Sequence, residues 1–168
     1  MTANTFSRKR RDAVTIRHAT ERDAVGVLEC LRAAFAPFET AYTPEAFKDT
    51  VLAPELLRKR MERMSVLVAT NHEGTIVGTI SSAVVGDGEG HLRGMAVSPD
   101  WHGRGVAEQL LAAAESELRN RGCSRVTLTT TAPLKRAMRF YEKNGFRLSG
   151  KTADFFGMPL FEHIKILQ

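Results

Sequence analysis

The sequence predicts one domain of the α/β (α+β) class: a central mixed, mostly antiparallel sheet of six to seven strands flanked by about four helices. Three observations predict it. Residues 65–97 read as three consecutive strands joined by tight turns, which pair as an antiparallel meander. Residues 89–130 then read strand, helix, strand, a right-handed crossover that leaves its two strands parallel. Residues 146–167 read as a closing hairpin. At 168 residues the chain is long enough to bury one core, and no internal repeat or linker divides it.

Each element has a local reason. Ala13 to His18 (AVTIRH) alternates as a strand does. Thr20 suits an N-cap, with Asp23 three residues on at the positive end of the helix dipole. Val25, Leu28, Leu31 and Phe35 recur at helical spacing until Pro37 ends the run. Thr43-Pro44-Glu45 opens a second helix, because Pro is preorganised for a first turn, and a third runs from about Pro54 to Met64. Ser65–Thr70, Thr75–Val85 and Glu89–Val97 are the meander strands, with turns at Asn71–Gly74 and Gly86–Gly88. The helix from about Gly103 to Arg121 places Val106, Leu110, Leu111, Ala114 and Leu118 on one face and stops at Gly122. Ser124–Thr130 is β-rich, and a helix from about Leu134 to Asn144 stops at Gly145. Phe146–Phe155 and Met158–Leu167 pair around Gly157.

Composition narrows the function. No run approaches the ~18 apolar residues of a membrane span, so no membrane partner is expected. No apolar run follows the basic N-terminal residues, as a secretory signal requires, and a cytoplasmic location is expected. Cys30 and Cys123 stand alone, without CxxC spacing or histidines in a ligand pattern, so neither a disulfide framework nor a metal site is expected. Of the net charge of +5, Arg8, Lys9, Arg10 and Arg11 less Asp12 supply three, leaving +2 on the remainder. Residues 1–12 read as a disordered basic tail before a domain over 13–168. The mildly basic remainder weighs against nucleic acid and suits a phosphate-bearing small ligand.

Two segments carry chemistry. Val97-Ser98-Pro99-Asp100-Trp101-His102-Gly103-Arg104-Gly105-Val106-Ala107 reads as a strand end, a glycine turn and the first turn of a helix. The first N–H groups of a helix lack internal partners, so such a turn forms a phosphate seat at the positive end of the dipole. It lacks the Gly-Lys-Ser/Thr of a P-loop, and Glu108 stands where a dinucleotide fingerprint needs its third glycine. Alone, it also suits a plain strand-to-helix turn. In the second segment, Arg136 to Phe146, Ala137 and Tyr141 share a helix face. A Tyr with a pKa near ~10 stays protonated at neutral pH and can donate to a leaving anion, or it can simply cap the core edge.

Together these segments resemble the GNAT superfamily of acyl-CoA-dependent N-acetyltransferases. His102 to Ala107 is similar to that family's (Gln/Arg)-x-x-Gly-x-(Gly/Ala) acyl-CoA loop, and Ala137 to Phe146 to its A-x-x-(L/F)-Y-x-x-x-G-F segment. The order of elements agrees from about Val14 to Leu167. The resemblance implies a GNAT fold, whose fourth strand carries a bulge and splays from the parallel fifth. It implies an enzyme, an acyltransferase moving acetyl from acetyl-CoA to a primary amine by direct attack in a ternary complex, without a metal.

Residue by residue, the resemblance assigns the pyrophosphate to backbone N–H groups of His102, Gly103, Arg104, Gly105, Val106 and Ala107, with the Arg104 charge at the rim. Met95, Ala96 and Val97 would meet pantetheine at the strand end, and Tyr141 would be the general acid. His91 stands six residues before Val97, where members often carry a Glu base. Glu89, on the same strand face, and a water chain are the alternatives; Arg93 holds another common Glu position and cannot be a base. Leu134 stands where many members have a cofactor-contacting Asn, which leaves Arg136 or Lys135 for the adenosine phosphates. Phe35, Phe38, Tyr42, Phe47, Phe155 and Phe156 either wall an acceptor cleft suited to an apolar or aryl amine or belong to the core. The acceptor is expected to be a small-molecule or peptide amine. A protein or aminoacyl-tRNA amine, and a non-catalytic acyl-CoA-binding module, are the competing readings; a homodimer is left open.

Overall fold

The frame is a seven-stranded sheet in the order β1-β2-β3-β4-β5-β7-β6, seen in a computed structural model that describes residues 13–168. The expected basic tail over 1–12 lies outside the described residues. The strands are β1 (Thr15–His18), β2 (Ser65–Thr70), β3 (Ile76–Gly86), β4 (Glu89–Val97), β5 (Arg125–Thr130), β6 (Arg147–Phe155) and β7 (Met158–Ile166). Among the described residues five α-helices flank them: α1 (Ala24–Phe35), α2 (Pro44–Val51), α3 (Pro54–Arg63), α4 (Val106–Asn120) and α5 (Lys135–Lys143). β1 to β4 pair antiparallel, and the hairpin inserts β7 between β5 and β6.

Strand alternation feeds two cores. Leu67 and Ala69 of β2 turn toward α4 and pack with Val106, Leu110, Leu111, Ala114 and Leu118. Val68 turns the other way, onto Val27, Cys30 and Leu31 of α1 and Leu57 of α3. α4 sits close because the sheet offers it glycines. A Cβ at Gly78 would stand 2.8 Å from Leu110 Cδ1, and one at Gly90 2.6 Å from Leu118 Cδ1.

Local signals behave as read, with two refinements. The Thr20 N–H donates to Asp23 Oδ2 at 2.7 Å, and Arg17 holds both Asp23 oxygens, so that carboxyl titrates well below the usual carboxylate range. Leu52, at φ 58°, ends α2 before Pro54 starts α3. The long helix begins at Val106 and not at about Gly103, because Gly103 (φ 73°) and Gly105 (φ 78°) are left-handed and stay outside the helical ladder. Among the described residues, no helix is long and apolar enough to cross a membrane.

Two irregularities in β4 create the site. Thr79 pairs with Ala96 but Ser81 with Arg93, so Gly94 and Met95 face Ile80 alone, and Gly94 takes φ 64°. That is a bulge, and it withdraws backbone groups from the ladder. β4 also pairs with the parallel β5 only at Glu89, Gly90 and His91. Beyond His91 the two strands part.

Candidate active site

The parting of β4 from β5 opens a cleft of about 900 Å³ that runs through the sheet plane. Its floor is the bulged end of β4, with Met95, Ala96 and Val97 all on the wall. Ala96 buries its methyl beneath α1, which leaves its backbone as the part available to a ligand.

The glycine turn closes one end. His102, Gly103, Gly105, Val106 and Ala107 line it, whereas Arg104 lies at the rim with its guanidinium carbon 4.7 Å from the Trp101 ring centroid. No side chain of the described residues caps α4, and its first internal bond runs from the Gln109 N–H to the Gly105 carbonyl. The N–H groups of Val106, Ala107 and Glu108 therefore have no acceptor within the helix. A Cβ at Gly103 or Gly105 would meet nothing within 4 Å, so it is the positive φ that requires glycine there. His102 holds the turn to the strand. Its Nε2–H donates to the Val97 carbonyl (3.0 Å), and its Nδ1 accepts from Arg136 Nη1 (3.1 Å). Arg136, itself on the cleft wall, is thereby anchored beside the glycine turn.

Tyr141 projects from α5 onto the same cleft. Its ring rests on Phe140, Phe146 and His163 at centroid separations of 5.4, 5.6 and 6.3 Å. Its hydroxyl donates to Met95 Sδ at 3.5 Å, a weak thioether acceptor. Burial pushes the phenol above its ordinary value, so it keeps its proton at neutral pH.

His91 lies where β4 and β5 begin to part, and it lines the cleft. Its Nδ1 meets Thr127 Oγ1 at 3.0 Å, and that hydroxyl reaches the Gly90 carbonyl at 3.5 Å. The chain of bonds sets Nδ1–H as donor and leaves the Nε2 lone pair as acceptor. Burial, then the charge of Arg93, holds this imidazole below its ordinary value despite Glu162 and Glu89, so it is neutral at physiological pH. Glu89 is elsewhere. It binds the Arg125 Nε–H at 2.8 Å on the paired part of the strand and does not reach the cleft.

Of the six aromatic residues singled out from the sequence, Phe35, Phe38, Tyr42 and Phe155 line the cleft. Phe47 packs edge-on against Tyr42, and Phe156 is 52% exposed. Sequence reasoning missed Arg60. This α3 residue is 9% exposed and lines the cleft, and its guanidinium makes no hydrogen bond or ion pair with any described residue. A signal existed: Arg60 stands three residues after Leu57, on the helix face that is buried. Burial first, then Arg93, lowers its guanidinium to about 10, and Asp49 partly offsets this.

Comparisons with known proteins show the family and the fold. The model of the acetyltransferase (GNAT) family matches residues 27–146. An uncharacterized N-acetyltransferase of Mycobacterium tuberculosis is 33% identical over 88 residues, which span 52% of this chain and 56% of that protein. The chain thus spans about half the length of the curated relatives it matches. The PaiA N-acetyltransferase of Thermoplasma acidophilum, solved with coenzyme A, superimposes with a TM-score of 0.75 at 19% identity, covering 92% of this chain and 99% of that one. The ribosomal-protein-S18-alanine N-acetyltransferase of Escherichia coli gives 0.74 at 20% identity, covering 93% and 95%. At these identities, the likeness to solved structures concerns the fold.

Proposed function

Because the chain belongs to the GNAT acetyltransferase family, we propose that it is an N-acetyltransferase that moves acetyl from acetyl-CoA to a primary amine by direct attack within one ternary complex. One observation carries this reading: a single cleft joins an uncapped helix start, a bulged strand end, a protonated Tyr141 and a neutral His91.

The residues present fit acetyl-CoA. Left-handed Gly103 and Gly105 turn the free N–H groups of the α4 start outward, as a pyrophosphate requires, and Arg136 adds positive charge beside them. The gap between β4 and β5 suits an extended pantetheine arm that takes up the backbone groups of Met95 and Val97. When bound, acetyl-CoA supplies the electrophilic thioester carbonyl and the thiol leaving group.

The chain's own groups then hold the acceptor and move protons. A bulge N–H near Met95 polarises the carbonyl. The acceptor nitrogen forms the new N–C bond as the C–S bond breaks. His91 Nε2 takes the amine proton, directly or through a water, and Tyr141 gives its hydroxyl proton to the departing sulfur. The weak bond from Tyr141 to Met95 Sδ is easily surrendered, since a thiolate accepts far better than a thioether.

Acetyl-CoA should raise the melting temperature of the protein, and an amine panel should release free thiol from it. No stabilisation by acetyl-CoA would remove the reading. Stabilisation without thiol release from any amine would favour a binding module instead.

A further inference from the structure

The mechanism above leaves one buried charge without a task. Arg60 carries five N–H donors on a side chain that is nine-tenths buried and faces the cleft, yet none bonds to a described residue. A buried guanidinium with no anion bonded to it is costly, so its retention calls for a ligand that supplies one. We propose that the acceptor is an α-amino acid with an apolar or aryl side chain, whose carboxylate seats on the Arg60 guanidinium; this rests on the acetyltransferase reading and names its substrate class.

Position assigns Arg60 to the acceptor and not to coenzyme A. α3 packs with α1 on the sheet face opposite α4 and the glycine turn. The phosphates already have the α4 start and Arg136. Arg60 Nη1 lies against Gly94 at the bulge, in space that any Cβ at residue 94 would take. The guanidinium therefore stands next to the backbone that would hold the thioester. A carboxylate bound there leaves the attacking nitrogen only a short covalent reach, as in an α-amino acid.

Charge and shape agree. Arg93 Nη2 is already paired with Asp49 Oδ2 at 2.6 Å, and of the arginines on the cleft wall Arg60 is the buried one, so the buried positive charge is single. One charge suits a carboxylate monoanion better than a phosphate dianion, and the planar fork matches it bidentately. Phe35, Phe38, Tyr42 and Phe155 on the same walls offer an apolar berth for the side chain.

The test compares L-phenylalanine, L-leucine, L-methionine and L-tryptophan with their decarboxylated amines and their carboxamides, which stand for a peptide N-terminus. Thiol release is followed at saturating acetyl-CoA. At least one amino acid should exceed both of its partners in kcat/KM by tenfold or more. Arg60→Met, of similar length and fit for a buried site, should bring that ratio to about one, and Arg60→Lys should restore part of it. Stabilisation by acetyl-CoA shows that each variant is folded. An amine or carboxamide that matches its amino acid overturns the proposal, as does an Arg60→Met loss that falls equally on all three. Acetyl-CoA stabilisation with no amino acid acetylated overturns the substrate class alone, whereas absent stabilisation defeats the acetyltransferase reading beneath it.

Discussion

Replacing Tyr141 with Phe removes one oxygen and leaves the ring. The packing on Phe140, Phe146 and His163 is then preserved, and the only bond lost is the 3.5 Å donation to Met95 Sδ. A thioether is a weak acceptor and costs little to leave unpaired, so stability should change by less than about 1 kcal/mol. The hydroxyl takes no part in the glycine turn, so acetyl-CoA affinity should also hold. The chemical step is different. Without the phenol proton the sulfur must leave as a bare thiolate or find water, and loss of a positioned acid typically costs about 10²–10⁴-fold. Turnover should fall at least tenfold, about 1.4 kcal/mol of barrier or more. Single-turnover thiol release from preloaded enzyme reads that step, with thermal shift as the binding control. An unchanged single-turnover rate would remove Tyr141 from the mechanism.

Four further outcomes follow from the geometry. Gly105→Ala forces a Cβ into the left-handed region at φ 78°, which costs roughly 1–2 kcal/mol and blocks the phosphate approach; its acetyl-CoA Kd should rise at least tenfold, and an unchanged Kd would refute the seat. His91 is held below its ordinary value, so the acid limb of kcat/KM should lie below pH 6.5 and disappear in His91→Gln. The same depression makes neutral His91 a stabilising group above pH 6.5, lost as the pH falls through its lower folded value; the melting temperature should decline over that window, with buried His163 acting in the same direction, and less in His91→Gln. Gly78→Ala sets a Cβ 2.8 Å from Leu110 and 3.3 Å from the Ala96 carbonyl; overpacking should cost about 1–3 kcal/mol by urea denaturation, and a wild-type midpoint would show that α4 does not rest on the sheet as described.

Most of the fold was legible because its signals are local. Thr43-Pro44 opens α2, Gly122 and Gly145 mark helix ends, and the meander turns fall at Asn71–Gly74 and Asp87-Gly88. Hydrophobic period and cap chemistry act within a few residues, so a linear reading captures them. A linear reading starts α4 about three residues early, because the alternating positive-φ residues Gly103 and Gly105 look like the first turn of a helix until their dihedrals are known.

The sequence by itself carried the features assigned to the donor half of the proposed reaction: a glycine turn before a long helix, and a Tyr on a helix face shared with a small residue. Those features are contiguous in the chain, so their spacing carries their chemistry. Tertiary structure alone arranged the side chains assigned to the acceptor half of the proposed reaction. His91 and Glu89 are two residues apart on one strand face, yet only His91 lies where β4 leaves β5, while Glu89 is spent on Arg125. Arg60 is distant in sequence from the bulge at Gly94, and only the packing of α3 against the sheet brings the two together and buries the charge. Burial and through-space partners, which no linear spacing encodes, decide whether a charged side chain is solvated decoration or a seat for a ligand.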